Sequence, residues 1–87
     1  MMLKKVLVIY YKRHYGTLHA VKSALRKHRI RGKFVERDKI NKKISDNAFD
    51  FVIAVGGDGT LLKAAQLVAN TPVLHVISNV KVNESFF

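Results

Sequence analysis

Two short runs, Val6-Leu7-Val8-Ile9-Tyr10 and Phe51-Val52-Ile53-Ala54-Val55, are apolar at every position and rich in β-branched residues, with no alternation. That is the pattern of strands covered on both faces. Val73-Leu74-His75-Val76-Ile77, opened by Thr71-Pro72, reads as a third such strand broken only by His75. Residues 33–37 alternate in part, Phe34 and Val35 against Lys33, Glu36 and Arg37, which predicts an edge strand half in water. Residues 17–30 set Leu18, Val21, Ala24, Leu25 and His28 on one arc, with Lys22, Arg26 and Arg29 along its flank. This spacing predicts an amphipathic helix, with Gly32 as its stop. Residues 60–70 form another helical pattern whose polar stripe is only Lys63, Gln66 and Asn70, so that it calls for burial on most sides. Between them, residues 39–46 support either a short helix or, given Asn41, Ser45, Asp46 and Asn47, a loop.

Strand, helix, strand, short helix or loop, strand, helix, strand is the order of a three-layer αβα domain with a mostly parallel, Rossmann-like sheet of about four strands. The 87 residues fit one domain over 1–87, and 48% apolar residues with one proline predict a packed core. The absence of cysteine removes disulfides, thiolate chemistry and cysteine zinc sites. No apolar run approaches the roughly 20 residues of a membrane span, so a cytoplasmic protein without membrane contact is expected. The net charge of +10 is uneven: residues 1–43 hold 14 bases and 2 acids, residues 44–87 hold 2 and 4. A solvated face, a surface for nucleic acid or another polyanion, and the attracting field of a polyphosphate site all fit that asymmetry.

Gly56-Gly57-Asp58-Gly59-Thr60 lies between the strand at 51–55 and the helix that begins near Leu61. Ligands of open parallel sheets collect at the carboxyl ends of strands, where a helix N-terminus offers N–H groups to a phosphate. The Walker pattern is absent because no glycine is followed by Lys and then Ser or Thr. The dinucleotide fingerprint fails at Leu62, and no acid stands near residue 78 to hold a ribose. An aspartate in the middle of such a turn repels phosphate and so needs a reason. Asp58 either caps the helix and complements its dipole, or supplies a carboxylate that accepts a hydroxyl proton or holds a metal bridging phosphates.

Tyr10 to Gly16 follow the first strand and lie at the same edge of the sheet. Lys12 and Arg13 there are candidates for phosphate contacts, with base stacking by the interleaved tyrosines and a plain solvated loop as the alternatives. His14 and His19 are poorly spaced for a metal, and His28 and His75 fall on apolar patterns that suit satisfied core histidines, so no protein-held metal site is expected.

The segment from Phe51 through the GGDGT of 56–60 to Leu61-Leu62-Lys63-Ala64-Ala65, with Thr71-Pro-Val-Leu after it, resembles the NAD kinase family. The motif is shared with diacylglycerol and sphingosine-type lipid kinases, which usually continue with an Asn-Glu-containing helix. The resemblance implies ATP, or polyphosphate, with Mg2+ as donor, NAD as substrate, and phosphorylation at the adenosine ribose 2′-hydroxyl to give NADP. It gives Asp58 the task of activating that hydroxyl and sets Gly56, Gly57, Gly59 and Thr60 against the nucleotide and its phosphates. The family's β-rich C-terminal domain, with the Asn-Glu pair that holds NAD, is absent from these residues, and Asn83-Glu84 is not that pair. An isolated 87-residue chain is therefore expected to be inactive, and its end at Phe86-Phe87 reads as a truncation. Its helix at 60–70 is expected to pack against the absent domain or a second copy. A lipid-kinase-type fragment and a non-catalytic basic binding module for nucleic acid or polyphosphate are the alternative readings.

Overall fold

The computed structural model describes residues 4–12, 15–45 and 48–77. Its elements are β1 (Lys5–Tyr10), α1 (Tyr15–Lys27), β2 (Arg31–Glu36), a single 3-10 turn at Arg37–Lys39, β3 (Phe51–Val55), α2 (Asp58–Leu67) and β4 (Val73–Val76). All pairings are parallel and the sheet order is β2-β1-β3-β4.

The unbroken apolar runs occupy the two central strands, because only there must both faces be dry. Val6 and Val8 of β1 join Ile53 and Val55 of β3 under Leu18 and Leu25 of α1. Leu7 and Ile9 join Val52 and Ala54 under Ala64 and Leu67 of α2 on the opposite face. Two helices on opposite faces make the three layers. β2 is the edge strand that the partial alternation predicts: Arg31, Gly32 and Lys33 are exposed, and Phe34 and Val35 are half-buried on opposite faces.

Three expectations need correction, and one open choice is settled. The first helix ends at Lys27, and Gly32 is not its stop. Arg29 takes φ 57, its N–H bonds the Arg26 carbonyl at 3.1 Å, and the Ile30 N–H bonds the Leu25 carbonyl at 2.9 Å. This is a Schellman end with arginine at the left-handed position where glycine is usual. Arg29 is thus off the helical flank, while Ala24 and His28 are exposed instead of lying on the buried arc. Gly32 sits inside β2 for want of space, since a Cβ there would stand 3.0 Å from both Leu25 Cδ1 and Phe34 Cε1.

The second point is residues 39–46, where no α-helix forms among the described residues and the loop alternative holds. Ile40, Ile44 and Phe49 instead lay a coil on the α2 face of the sheet, anchored by the Ile44 N–H to the Leu67 carbonyl at 2.8 Å. Third, α2 runs from Asp58 to Leu67 instead of 60–70; the sheet covers one side of it, through Thr60, Ala64 and Leu67. Leu62 stays 60% exposed. Fourth, β4 ends at Val76, leaving Ile77 beyond it and exposed.

The Schellman end carries a direct test. A left-handed arginine costs about 1 kcal/mol that glycine avoids, less the extra chain entropy glycine brings to the unfolded state. Arg29→Gly should raise stability by about 0.5–1 kcal/mol, a rise of roughly 2–8 °C in Tm for a domain of this size. An unchanged or lower Tm would show that the arginine side chain compensates for its backbone.

Candidate functional site

β1 connects through α1 to β2 on one side of it, and the chain then crosses back to β3 on the other side. The carboxyl ends of β1 and β3 are therefore a topological switch point, where the two following connections diverge to opposite faces and leave a crevice. The glycine turn follows β3, and Tyr11 and Lys12 follow β1. The Tyr11 N–H reaches the Val55 carbonyl at 3.3 Å, extending the ladder to the lip of that crevice.

Each residue of the turn has a different environment. Gly56 is buried with φ 144, a conformation that L side chains rarely adopt. Its N–H bonds the Val76 carbonyl at 3.1 Å, and its carbonyl lies 2.8 Å from His75 Nε2. A carbonyl can only accept, so the half-buried His75 donates from Nε2 and holds the turn to β4. The expected satisfied histidine is found, with its partner in the site itself.

Gly57 is the N-cap of α2, extended at φ −88 and ψ −164, and its carbonyl receives the N–H groups of Thr60 at 3.1 Å and Leu61 at 3.2 Å. A Cβ on Gly57 would meet nothing within 4 Å. Neither its backbone nor its neighbours require glycine. Asp58 is the first helical residue, exposed, and no side-chain bond caps the helix. The capping explanation of this aspartate thus lacks its hydrogen bond, and only the complement to the helix dipole remains. The N–H groups of Asp58 and Gly59, in the first turn, have no acceptor within the helix, the arrangement by which helix N-termini receive anions.

Gly59 is exposed, and a Cβ there would come within 2.8 Å of Arg37 Nη1. Thr60 is wholly buried, and its Oγ1 accepts a hydrogen bond from Arg37 Nη1 at 3.3 Å. Its oxygen thus has a partner inside the protein. Lys12 is exposed near the same edge, whereas Arg13, like His14 and residues 78–87, lies outside the described residues. Arg37 and His75 are the two residues at the turn that pattern reading missed as parts of the site. Arg37 reads as the solvent side of an alternating strand and His75 as an interruption in an apolar one, so neither spacing signals a role. Asp58 also borders an apolar ledge made by Leu61, Leu62 and Ala65. Among the described residues no three His, Asp or Glu side chains gather as a metal site.

The family model of the ATP-NAD kinase N-terminal domain matches residues 2–82. A "Probable NADH kinase" of Oryza sativa subsp. japonica is 40% identical over 67 residues, covering 76% of this chain and 20% of that protein. An "NAD kinase" of Saccharolobus islandicus is 53% identical over 38 residues, covering 44% of this chain and 14% of that protein. The chain thus spans a fifth or less of the length of these relatives. With the match running through both central strands and the whole glycine turn, this chain belongs to the NAD kinase family, in the part that forms the ATP-NAD kinase N-terminal domain.

Proposed function

We propose that this domain supplies the phosphate-binding turn and the general base of an ATP-dependent NAD kinase. The observation that carries this reading is Gly57 beside Asp58. The chain has no need of a glycine at 57, so the missing side chain is best explained by something that approaches from outside, and the next residue presents a carboxylate with no capping bond. In the reaction, the Asp58 carboxylate accepts the proton of the adenosine ribose 2′-hydroxyl as that oxygen attacks the γ-phosphorus of ATP, and ADP leaves with the bridging oxygen. The N–H groups of the first turn of α2 receive phosphate oxygens, and Lys12 adds positive charge at the same edge, with Arg13, the next residue in the sequence, as a second candidate.

Mg2+ enters this scheme with ATP, as the complex of its phosphates. A single carboxylate at the turn suits a cation held chiefly by substrate oxygens and water, not a resident ion in a protein cage. No helix among the described residues is long and apolar enough to cross a membrane. A cytoplasmic enzyme acting on soluble nucleotides is the reading consistent with that chemistry.

Titration of the chain with MgATP, followed by amide shifts, tests the site. Movements should concentrate at Gly57, Asp58 and Gly59 and at Tyr11 and Lys12, and the α1 cations Lys22, Arg26 and Lys27 should move little. Shifts centred on α1 would make the chain a general polyanion binder, and an absence of shifts at the turn would remove the nucleotide reading.

A further inference from the structure

Arg37 immediately follows β2, and its side chain touches the connections that follow β1 and β3. Its guanidinium carbon stands 4.0 Å from the centroid of the Tyr11 ring, which follows β1. Its Nη1 donates to Thr60 Oγ1 at 3.3 Å, and its Nε donates to Asp38 Oδ1 at 3.3 Å. The same Nη1 would lie 2.8 Å from a Cβ on Gly59. Stacking fixes the plane of the fork, Asp38 fixes its rotation, and the anchor at the far end is a wholly buried threonine. The side chain is 27% exposed, so it is partly withdrawn from competing water.

We propose that Arg37 is a positioning residue for the glycine turn, and that position 59 is glycine because the guanidinium crosses it to reach Thr60. The proposal rests on the reading of this turn as the phosphoryl-transfer site, though the contacts themselves do not. It separates the glycines by cause: Gly57 leaves room for a ligand, and Gly59 leaves room for a side chain of the protein.

The obstruction at Gly59 is the far end of a flexible side chain, so an alanine there should push Arg37 off Thr60 and leave the domain folded. Gly59→Ala, Arg37→Ala, Thr60→Val and the double variant Gly59→Ala with Arg37→Ala should be compared for MgATP affinity by amide-shift titration and for thermal unfolding. Each single variant is expected to weaken MgATP binding by about tenfold, the scale of one charge-assisted hydrogen bond. The double variant should be no weaker than either parent, because both remove the same contact. Arg37→Lys, which keeps the charge but not the planar fork, should stay close to Arg37→Ala.

Multiplying losses in the double variant would mean that Gly59 serves the ligand directly and would overturn the assignment. So would wild-type affinity in Arg37→Ala or full rescue by lysine. If the unsubstituted chain fails to bind MgATP, the kinase reading falls. The coupling of positions 37 and 59 in unfolding then decides whether the arginine holds the turn: non-additive losses support it and additive ones refute it.

Discussion

Asp58→Asn leaves the fold intact and lowers turnover at least about a hundredfold in a protein that contains this domain and forms NADP, the scale associated with losing a general base. Asparagine matches aspartate in shape, but it cannot take a proton at neutral pH. The structure sharpens the comparison, because Gly57 is the N-cap and no side-chain bond caps α2. What stability the carboxylate contributes comes from the helix dipole, about 0.3–1 kcal/mol at an exposed position. A fall of more than about 8 °C in Tm is therefore not expected. Kinetics and melting should be read on the same preparation. A variant that keeps its rate and melts much earlier would make Asp58 a structural residue and take it out of the chemistry.

Gly56→Ala and Gly57→Ala, one residue apart, should fail in opposite ways. At Gly56 the backbone holds φ 144 in a buried position between the Val76 carbonyl and His75, so a methyl group meets a forbidden conformation. The expected cost is about 1–3 kcal/mol, a large fraction of the stability of a small domain. At Gly57 the conformation is ordinary and the space is open. Alanine there should leave Tm unchanged or slightly raised, while MgATP affinity falls as the methyl group occupies the approach to the first turn of α2. Denaturant melts and nucleotide titrations of the two proteins give four numbers. Equal destabilisation by both, or a Gly57→Ala protein that binds as well as its parent, would remove the ligand explanation of Gly57.

The two central strands were legible because burial on both faces leaves only one kind of residue, and Phe51-Val-Ile-Ala-Val admits little else. The glycine turn was legible for a similar reason, since its composition departs from both helix and strand. Arg29 was hidden because a left-handed arginine leaves no mark in composition, and the eye passes on to Gly32. That glycine answers a different demand, the closeness of Leu25 and Phe34, which only the packed structure contains. The segments at 40–45 and 48–49 carry Ile40, Ile44 and Phe49 at intervals that fit no regular element, and they are held by tertiary contacts instead of local propensity. Arg37 illustrates the same limit at the site. Its importance comes from Tyr11 and Thr60, far from it in sequence, and no spacing within 33–37 announces them.

β1 is central in the sheet, paired on one edge with Arg31–Glu36 and on the other with Phe51–Val55. Both partners lie downstream of it in the chain. During synthesis, Val6-Leu7-Val8-Ile9-Tyr10 must wait with both edges open until residue 55 has emerged, and a parallel sheet cannot shorten that delay with a local hairpin. A short apolar β-prone segment in that state is an aggregation hazard, and flanking charges are the usual protection. Lys4 and Lys5 stand before it and Lys12 and Arg13 after it. Part of the basic excess of the first half is thus placed as such protection would be, flanking an open apolar strand until the strand that will carry the glycine turn arrives.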